Sequence, residues 1–320
     1  MTVGAPVKTC AVVQGNIRQG TAEVLLCLSG LFDEVVLSTW EGEALETLPR
    51  GRWAVVQSPK PQAPGYTHRN YQRRSTAVGI RHAEALGATH VLKWRTDMLP
   101  TRLDVSQLLA WSAERVPKGL TSRLVTCAFR NLSVRQDWFS SIPDLFAFAR
   151  IELMRLLWDD DGFDYSQPMN VPPGMLKEHG TEWMTSHPDV ATLYCAESEL
   201  YALFKERLQA ATGRHWTHPS MAKECMYLID HMRLGICWFG SAAGQFRSIT
   251  QALQFPWWTE HTWRNGKPVV ADWGYPETTW IQKMRRKHLT RWVSRRELRC
   301  EQEWYAAYRA AHPISSLDAA

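Results

Sequence analysis

Several signatures that would assign a chemistry at once are missing from this 320-residue chain. It has neither a G-x-x-x-x-G-K-[ST] loop nor a G-x-G-x-x-G turn, so a bound phosphate cannot rest on a P-loop or a dinucleotide fingerprint and must be met by side chains or a metal. The seven cysteines (Cys10, Cys27, Cys127, Cys195, Cys225, Cys237 and Cys300) are odd in number, scattered and free of any C-x-x-C pair. That pattern favours reduced thiols in a cytoplasmic protein. No segment approaches the roughly 20 apolar residues of a membrane span. The early run Thr9–Val13 is too short for the apolar core of a secretory signal. Internal repeats and low-complexity tracts are absent as well.

What is present in excess is tryptophan, 16 residues of it, which serves sugar stacking, interfacial anchoring or a large aromatic core. The net charge of +5 is modest but uneven, because Lys283, Arg285, Arg286, Lys287, Arg291, Arg295, Arg296 and Arg299 crowd one C-terminal stretch. With 45% hydrophobic and 22% charged residues the chain reads as globular, long enough for one large domain with an appendage.

The first half alternates extended and helical patterns, which predicts a parallel sheet with crossover helices. Strands are expected at Thr9 to Gln14, Glu34 to Thr39, Trp53 to Gln57, His90 to Trp94 and Leu124 to Phe129. Helices are expected at Thr21 to Ser29, Tyr71 to Leu86 and Asp104 to Glu114. Pro59, Pro61, Pro64 and Gly65 mark a loop. Beyond Pro143, helices are expected at Asp144 to Trp158 and Glu197 to Ala211, one or two β segments at Met226 to Trp238, and a hairpin around Asn265-Gly266. Pro276 to Tyr308 reads as a long helix.

Three strands end in polar groups: Gln14-Gly15-Asn16, Ser38-Thr39-Trp40-Glu41-Gly42 and Arg95-Thr96-Asp97. In open α/β sheets ligands bind beyond such carboxyl ends. Together they offer an aromatic or amide surface for a base, hydroxyl and carboxylate groups for a ribose, and cations for a diphosphate. Arg73, in the first turn of a predicted helix, is a candidate phosphate contact through its charge and the helix dipole, against the alternative of a solvated arginine. Asp97 is a candidate ligand for a divalent cation. His215, His218 and Glu224 have a spacing compatible with a metal, but Gly213 and Pro219 argue against a regular helix there.

The order Val12-Val13-Gln14-Gly15, Leu37-Ser38-Thr39-Trp40-Glu41-Gly42, Asn70 with Gln72, Ser75-Thr76 and Gly79, Leu92-Lys93-Trp94-Arg95-Thr96-Asp97, then Asp137-Trp138-Phe139 and Asp144-Leu145 resembles the WavE family. That family is associated with lipopolysaccharide core biosynthesis and is similar to the GT-A glycosyltransferases. The resemblance spans roughly Lys8 to Phe204. It implies a GT-A-like α/β fold, a mixed and mainly parallel sheet flanked by helices, assigned to residues 1–245, while the residue pattern of 246–320 adds a C-terminal hairpin and a long amphipathic basic helix packed on it.

It further implies a sugar-nucleotide site built from Gln14, Gly15, Thr39, Trp40, Glu41, Asn70, Arg73, Lys93 and Arg95, with Asp97 at the metal-binding end of a D-x-D motif holding Mg²⁺ or Mn²⁺. Here Arg95 replaces the first acid, and Tyr71 stands where a basic residue usually follows the asparagine. Asp137 and Glu197 are the candidate bases for activating an acceptor hydroxyl, with Glu199 in reserve; a turn role for Asp137 and helix N-terminal stabilisation for Glu197 are the alternatives. The expected partners are a nucleotide-sugar donor and a saccharide or lipid-linked oligosaccharide acceptor. Pro276 to Arg299 would face an anionic inner-membrane surface, unless that helix packs its apolar face on the body and solvates its charges. The competing reading is a non-catalytic carbohydrate-binding or scaffold protein with a degenerate donor site. Nucleic-acid binding is disfavoured because the basic residues form no continuous face.

Overall fold

The run Thr9–Gln14 forms strand β1 with every residue buried, as an uninterrupted apolar segment must when both faces of a parallel sheet are covered. The computed structural model describes residues 6–65, 68–127, 130–131, 140–163, 165, 196–240, 245–250, 260–265 and 280–313. After β1 the chain passes through helix α1 (Thr21–Ser29) into β2 (Glu34–Trp40) and then β3 (Ala54–Ser58), each strand parallel to the one before. Helix α2 (Arg69–Ala85) then returns the chain to the other side of β1, where β4 (His90–Arg95) pairs in parallel.

The remaining strands are β5 (Met98–Pro100), β6 (Leu124–Cys127), the short pair β7 (Arg130–Asn131) and β8 (Ser140–Ser141), β9 (Ala147–Arg150), β10 (Met226–Ile229) and β11 (Ile236–Trp238). The seven-stranded main sheet runs in the order β10-β6-β9-β4-β1-β2-β3. Only β9 runs against its neighbours. The chain therefore reverses its direction of travel across the sheet between β1 and β4, and that switch point opens a crevice at the carboxyl edge. Close packing of α2 on β1 and β2 depends on Gly79, where an added Cβ would run into Val12 Cγ1 and come within 2.9 Å of Ser38 Cβ.

Helices α3 (Val105–Ala113), α4 (Ile151–Trp158), α5 (Ala196–Thr212), α6 (His218–Glu224), α7 (Glu260–Arg264) and α8 (Trp280–Ala311) complete the described elements. Asp104 caps α3 by accepting from the Ser106 and Gln107 N–H groups. Among the described residues no helix is long and apolar enough to cross a membrane.

Three expectations are corrected. The segment from Asp144 is not helical at first: Ala147–Arg150 is a strand wedged between β4 and β6, and the helix starts only at Ile151. A short apolar run fits both periodicities, and the ladder bonds of a central slot decide for the strand. The run from Trp263, expected to be extended before the Asn265-Gly266 turn, is helical at Trp263 and Arg264, and the Asn265 N–H donates to the His261 carbonyl; Gly266 and the rest of the expected hairpin lie outside the described residues. Finally, Pro219 does not exclude a helix at residue 218; it occupies the first turn of α6, where a missing N–H costs nothing.

Helix α8 packs on the body through polar groups. Glu297 accepts from His231 Nε2 (2.9 Å), Ser248 Oγ (2.7 Å) and the Ile249 N–H (2.7 Å). Arg309 and Tyr305 both reach Glu23 on α1.

Candidate active site

The crevice at the carboxyl ends of β1, β2 and β4 holds about 460 Å³ and is lined by Gln14, Gly15, Trp40, Arg95 and Asp97 together with Asn16, Ile17, Arg18, Lys60, His68, Tyr71, Gln72 and Thr96. Its walls are fixed by the backbone. The Gly15 N–H donates to the Ser38 carbonyl, the Thr96 N–H to the Gln14 carbonyl, and the Ile17 N–H to Glu43 Oε2. The Thr21 hydroxyl receives the Arg18 N–H and donates to the Thr96 carbonyl. Gly15 has φ +125°, and a Cβ there would sit 3.1 Å from Thr96 Oγ1; one at Gly20 (φ +97°) would lie 2.5 Å from the Phe239 ring. The loop between β1 and α1 is thus held in place before any ligand arrives.

Asp97 organises the charge. Its Oδ1 accepts from Arg95 Nε (2.9 Å), and its Oδ2 accepts from Arg95 NH2 (3.0 Å), Arg18 NH1 (2.9 Å) and Trp238 Nε1 (3.2 Å). Burial alone would favour the neutral acid, but Arg95, then Arg18 and the Trp238 N–H, hold this carboxyl below its ordinary value. Arg95 is partly buried, which works against its charge, yet Asp144 and Asp97 together make it a firmer cation than usual. Arg18, by contrast, is half exposed. One end of its guanidinium is anchored on Asp97 and the rest remains open to the crevice.

Opposite lies an aromatic wall. Trp40 donates from Nε1 to Asn16 Oδ1 and packs at 5.6 Å against Tyr71, which stacks on His68 at 6.0 Å. Lys60 Nζ rides above, 4.9 Å from the Tyr71 ring centre and 5.9 Å from that of Trp40. The crevice therefore combines flat π surface with three cations, Arg18, Lys60 and Arg95, against one buried carboxylate. This suits a planar base attached to a polyanion.

Other expected residues lie elsewhere. Arg73 is buried on the inner face of α2, 3.6 Å from Glu199 and over the Phe163 ring, so it makes no wall of the crevice. Asn70 is buried beside it and hydrogen-bonds Arg69, the Ala63 carbonyl and the Tyr165 carbonyl. Lys93, two residues before Arg95 on the same face of β4, is fully buried short of the crevice and donates to the Asp144 carbonyl over the Trp158 ring; burial pushes its pKa down to about 8. Thr39 is buried with its hydroxyl unpartnered among the described residues, and Glu41 is exposed; neither lines the crevice. Asp137 lies outside the described residues. Glu197 sits half-buried in the first turn of α5, whereas the reserve acid Glu199 is locked between Arg69 and Arg73. Glu224 is occupied by Arg214 and Trp216, so the histidine spacing builds no metal site with it, and the His218 side chain lies outside the described residues.

These donors do not suit the expected Mg²⁺ or Mn²⁺. A divalent cation needs open carboxylate oxygens, but those of Asp97 already serve four N–H donors, three of them on guanidiniums. In this arrangement the donor set does not fit a metal, and no step is derived through one.

Sequence reasoning missed Arg18, Lys60, His68 and Trp238. Arg18 lies two residues beyond the Gln14-Gly15-Asn16 ending, and that proximity was the available signal. Helical spacing would also have placed Arg73 correctly, because Asn70, Arg73, Ala77 and Ile80 share the buried face of α2.

No protein-family model matches the chain, and no curated protein matches it. Among solved structures, HddC from Yersinia pseudotuberculosis is similar at 11% identity over 52% of this chain and 84% of its own, with a TM-score of 0.29. A glycosyltransferase involved in glycosylation of the major capsid of PBCV-1 is similar at 10% identity over 54% of this chain and 76% of its own, with a TM-score of 0.27. At those scores the functional argument rests on the crevice itself.

Proposed function

We propose that the protein is a glycosyltransferase whose nucleotide-sugar donor lies across the β1–β4 switch point, its diphosphate held by Arg18, Arg95 and Lys60 and its base against Tyr71 and His68. The observation that carries this reading is the placement of an Asp97-anchored arginine pair opposite an aromatic wall, at the sheet edge where α/β proteins bind nucleotides. In the transfer, the anomeric carbon leaves the diphosphate oxygen and bonds to an acceptor hydroxyl, whose proton passes to a base. Negative charge grows on the departing diphosphate, and fixed guanidiniums stabilise it without reorganising. Asp137 or Glu197 supplies the base. Titration calorimetry with UDP, GDP, ADP and TDP tests the reading, and failure of all four to bind overturns it.

The WavE-like motif order extends the proposal to lipopolysaccharide or another surface polysaccharide as acceptor. Helix α8 supports work at a membrane surface. Between Arg291 and Glu301 it buries Ser294, Glu297 and Glu301, while Trp292 (61% exposed), Arg291, Arg295, Arg296 and Arg299 face outward and Trp280 is 74% exposed. A tryptophan among cations on the solvent side is the pattern of an interfacial anchor on anionic lipid. The second reading, a binding protein that retains the crevice without turnover, draws on the closed state of Asp97; donor hydrolysis without acceptor would exclude it.

A further inference from the structure

A second concave site lies at the opposite edge of the sheet, where β6 and β10 begin. It holds about 520 Å³ and is lined by Glu114, Arg115, Pro117, Arg123, Arg214, Lys223, Glu224, Trp263 and Arg264. Since β6 and β10 run parallel to β4, their starts and the end of β4 lie on opposite edges, and this cavity is separated from the donor crevice by the sheet. Five cations line it against two carboxylates, and one of those, Glu224, is already engaged by Arg214 at 2.9 Å and Trp216 at 3.2 Å.

Arg123 is the centre of the argument. Only 4% exposed, it donates to the Glu114 and Lys223 carbonyls and lies over the Trp263 ring at 5.2 Å, yet its Nε has no acceptor among the described residues. That N–H is enclosed, so what Arg123 presents to the cavity is its charge. Arg115, at φ +48°, is the left-handed residue just past the end of α3, a conformation uncommon for residues other than glycine. Arg115 and Lys223 are exposed beside it. Arg264 is fixed by Glu260 (3.0 Å) and by the Tyr227 hydroxyl (2.5 Å).

We propose that this cavity binds a phosphorylated small molecule of about nucleotide or sugar-phosphate size, its phosphate oxygens accepting from Arg115 and Lys223 and facing the charge of Arg123 beside the Trp263 ring. Planar guanidinium forks match phosphate oxygens in pairs, and the volume falls within the roughly 300–1,000 Å³ of small-molecule sites. Such a site would answer to a phosphorylated metabolite independently of the donor crevice.

The test is calorimetric titration of the full chain with inorganic pyrophosphate, with succinate as the non-phosphate dianion. The variants are R115G/K223A, which changes exposed side chains and gives the positive φ to glycine, and R18A/K60A in the donor crevice. Pyrophosphate binding to R18A/K60A that weakens about tenfold or more when R115G/K223A is added to that variant supports the inference. A crevice that fails to bind pyrophosphate leaves one class of sites in the wild type, lost only in R115G/K223A, and still supports it. Equal affinity and stoichiometry in wild type and R115G/K223A, no pyrophosphate binding at all, or equally tight succinate binding would overturn it.

Discussion

Replacing Asp97 by Asn tests how the crevice is built. The substitution keeps the shape but removes the charge that faces Arg95 and Arg18, and it turns an amide N–H₂ toward a donor already there. Three charge-assisted bonds and the Trp238 contact lose their anion. A hydrogen bond to a charged group contributes about 1.5–3 kcal/mol, and removing one partner of a buried pair costs about 3–5 kcal/mol. Asp144 still compensates Arg95 at 3.1 Å, and Arg18 can turn to solvent, so the lower part of that range applies. The expected loss is about 3 kcal/mol, read as the difference in unfolding free energy by urea denaturation at pH 7. Nucleoside diphosphate binding should weaken along with it, because both arginines lose their anchor. Were Asp97 only an open metal ligand, the variant would keep its stability to within about 0.5 kcal/mol, as surface changes usually do, and that result would refute the reasoning.

Further outcomes follow from the same contacts. Gly79→Ala should destabilise by about 1–3 kcal/mol, since its methyl must push α2 away from Val12 and Ser38; an unchanged urea midpoint would contradict that packing. Glu301 is fully buried, and burial together with Glu297 raises its pKa from 4.5 to about 9. The folded state thus retains a proton that the unfolded chain releases, so this group's contribution to stability falls as pH rises from 4.5 through 9. Glu301→Gln should therefore gain on the wild type across that window and match it below pH 4, measured by urea unfolding at several pH values; a flat difference would be the opposing result. Trp292→Ala combined with R295A and R296A should abolish sedimentation with phosphatidylserine vesicles while leaving binding to neutral vesicles unchanged, and persistent co-sedimentation would remove α8 as an anchor.

The sheet that positions the crevice was legible because β1, β2 and β4 are apolar runs closed by polar residues, and Gln14, Trp40 and Arg95 mark those ends. The insertion of β9 was not, since Ala147–Arg150 carries too few residues for its period to separate strand from helix. Trp238 reaches Asp97 only because β11 pairs with β5, a contact 141 positions apart that no local pattern encodes. Lys60 sits in a proline-rich loop that reads as punctuation, and its role emerges only when β3 sets it above Trp40 and Tyr71. Arg73 was misplaced for the opposite reason: helix-end electrostatics suggested an anion contact, while the buried stripe of α2 had already turned that residue toward Glu199.

The central claim is that arginines, with Asp97 as their counter-ion, hold the donor diphosphate. Its most direct test is titration of UDP, GDP, ADP and TDP into wild type and Arg18→Ala, once with a chelator and once with Mn²⁺. The account predicts the same affinity in both media for the nucleotide that binds, and a loss of about tenfold on removing Arg18. Binding that appears only with Mn²⁺ and is indifferent to Arg18 would contradict it.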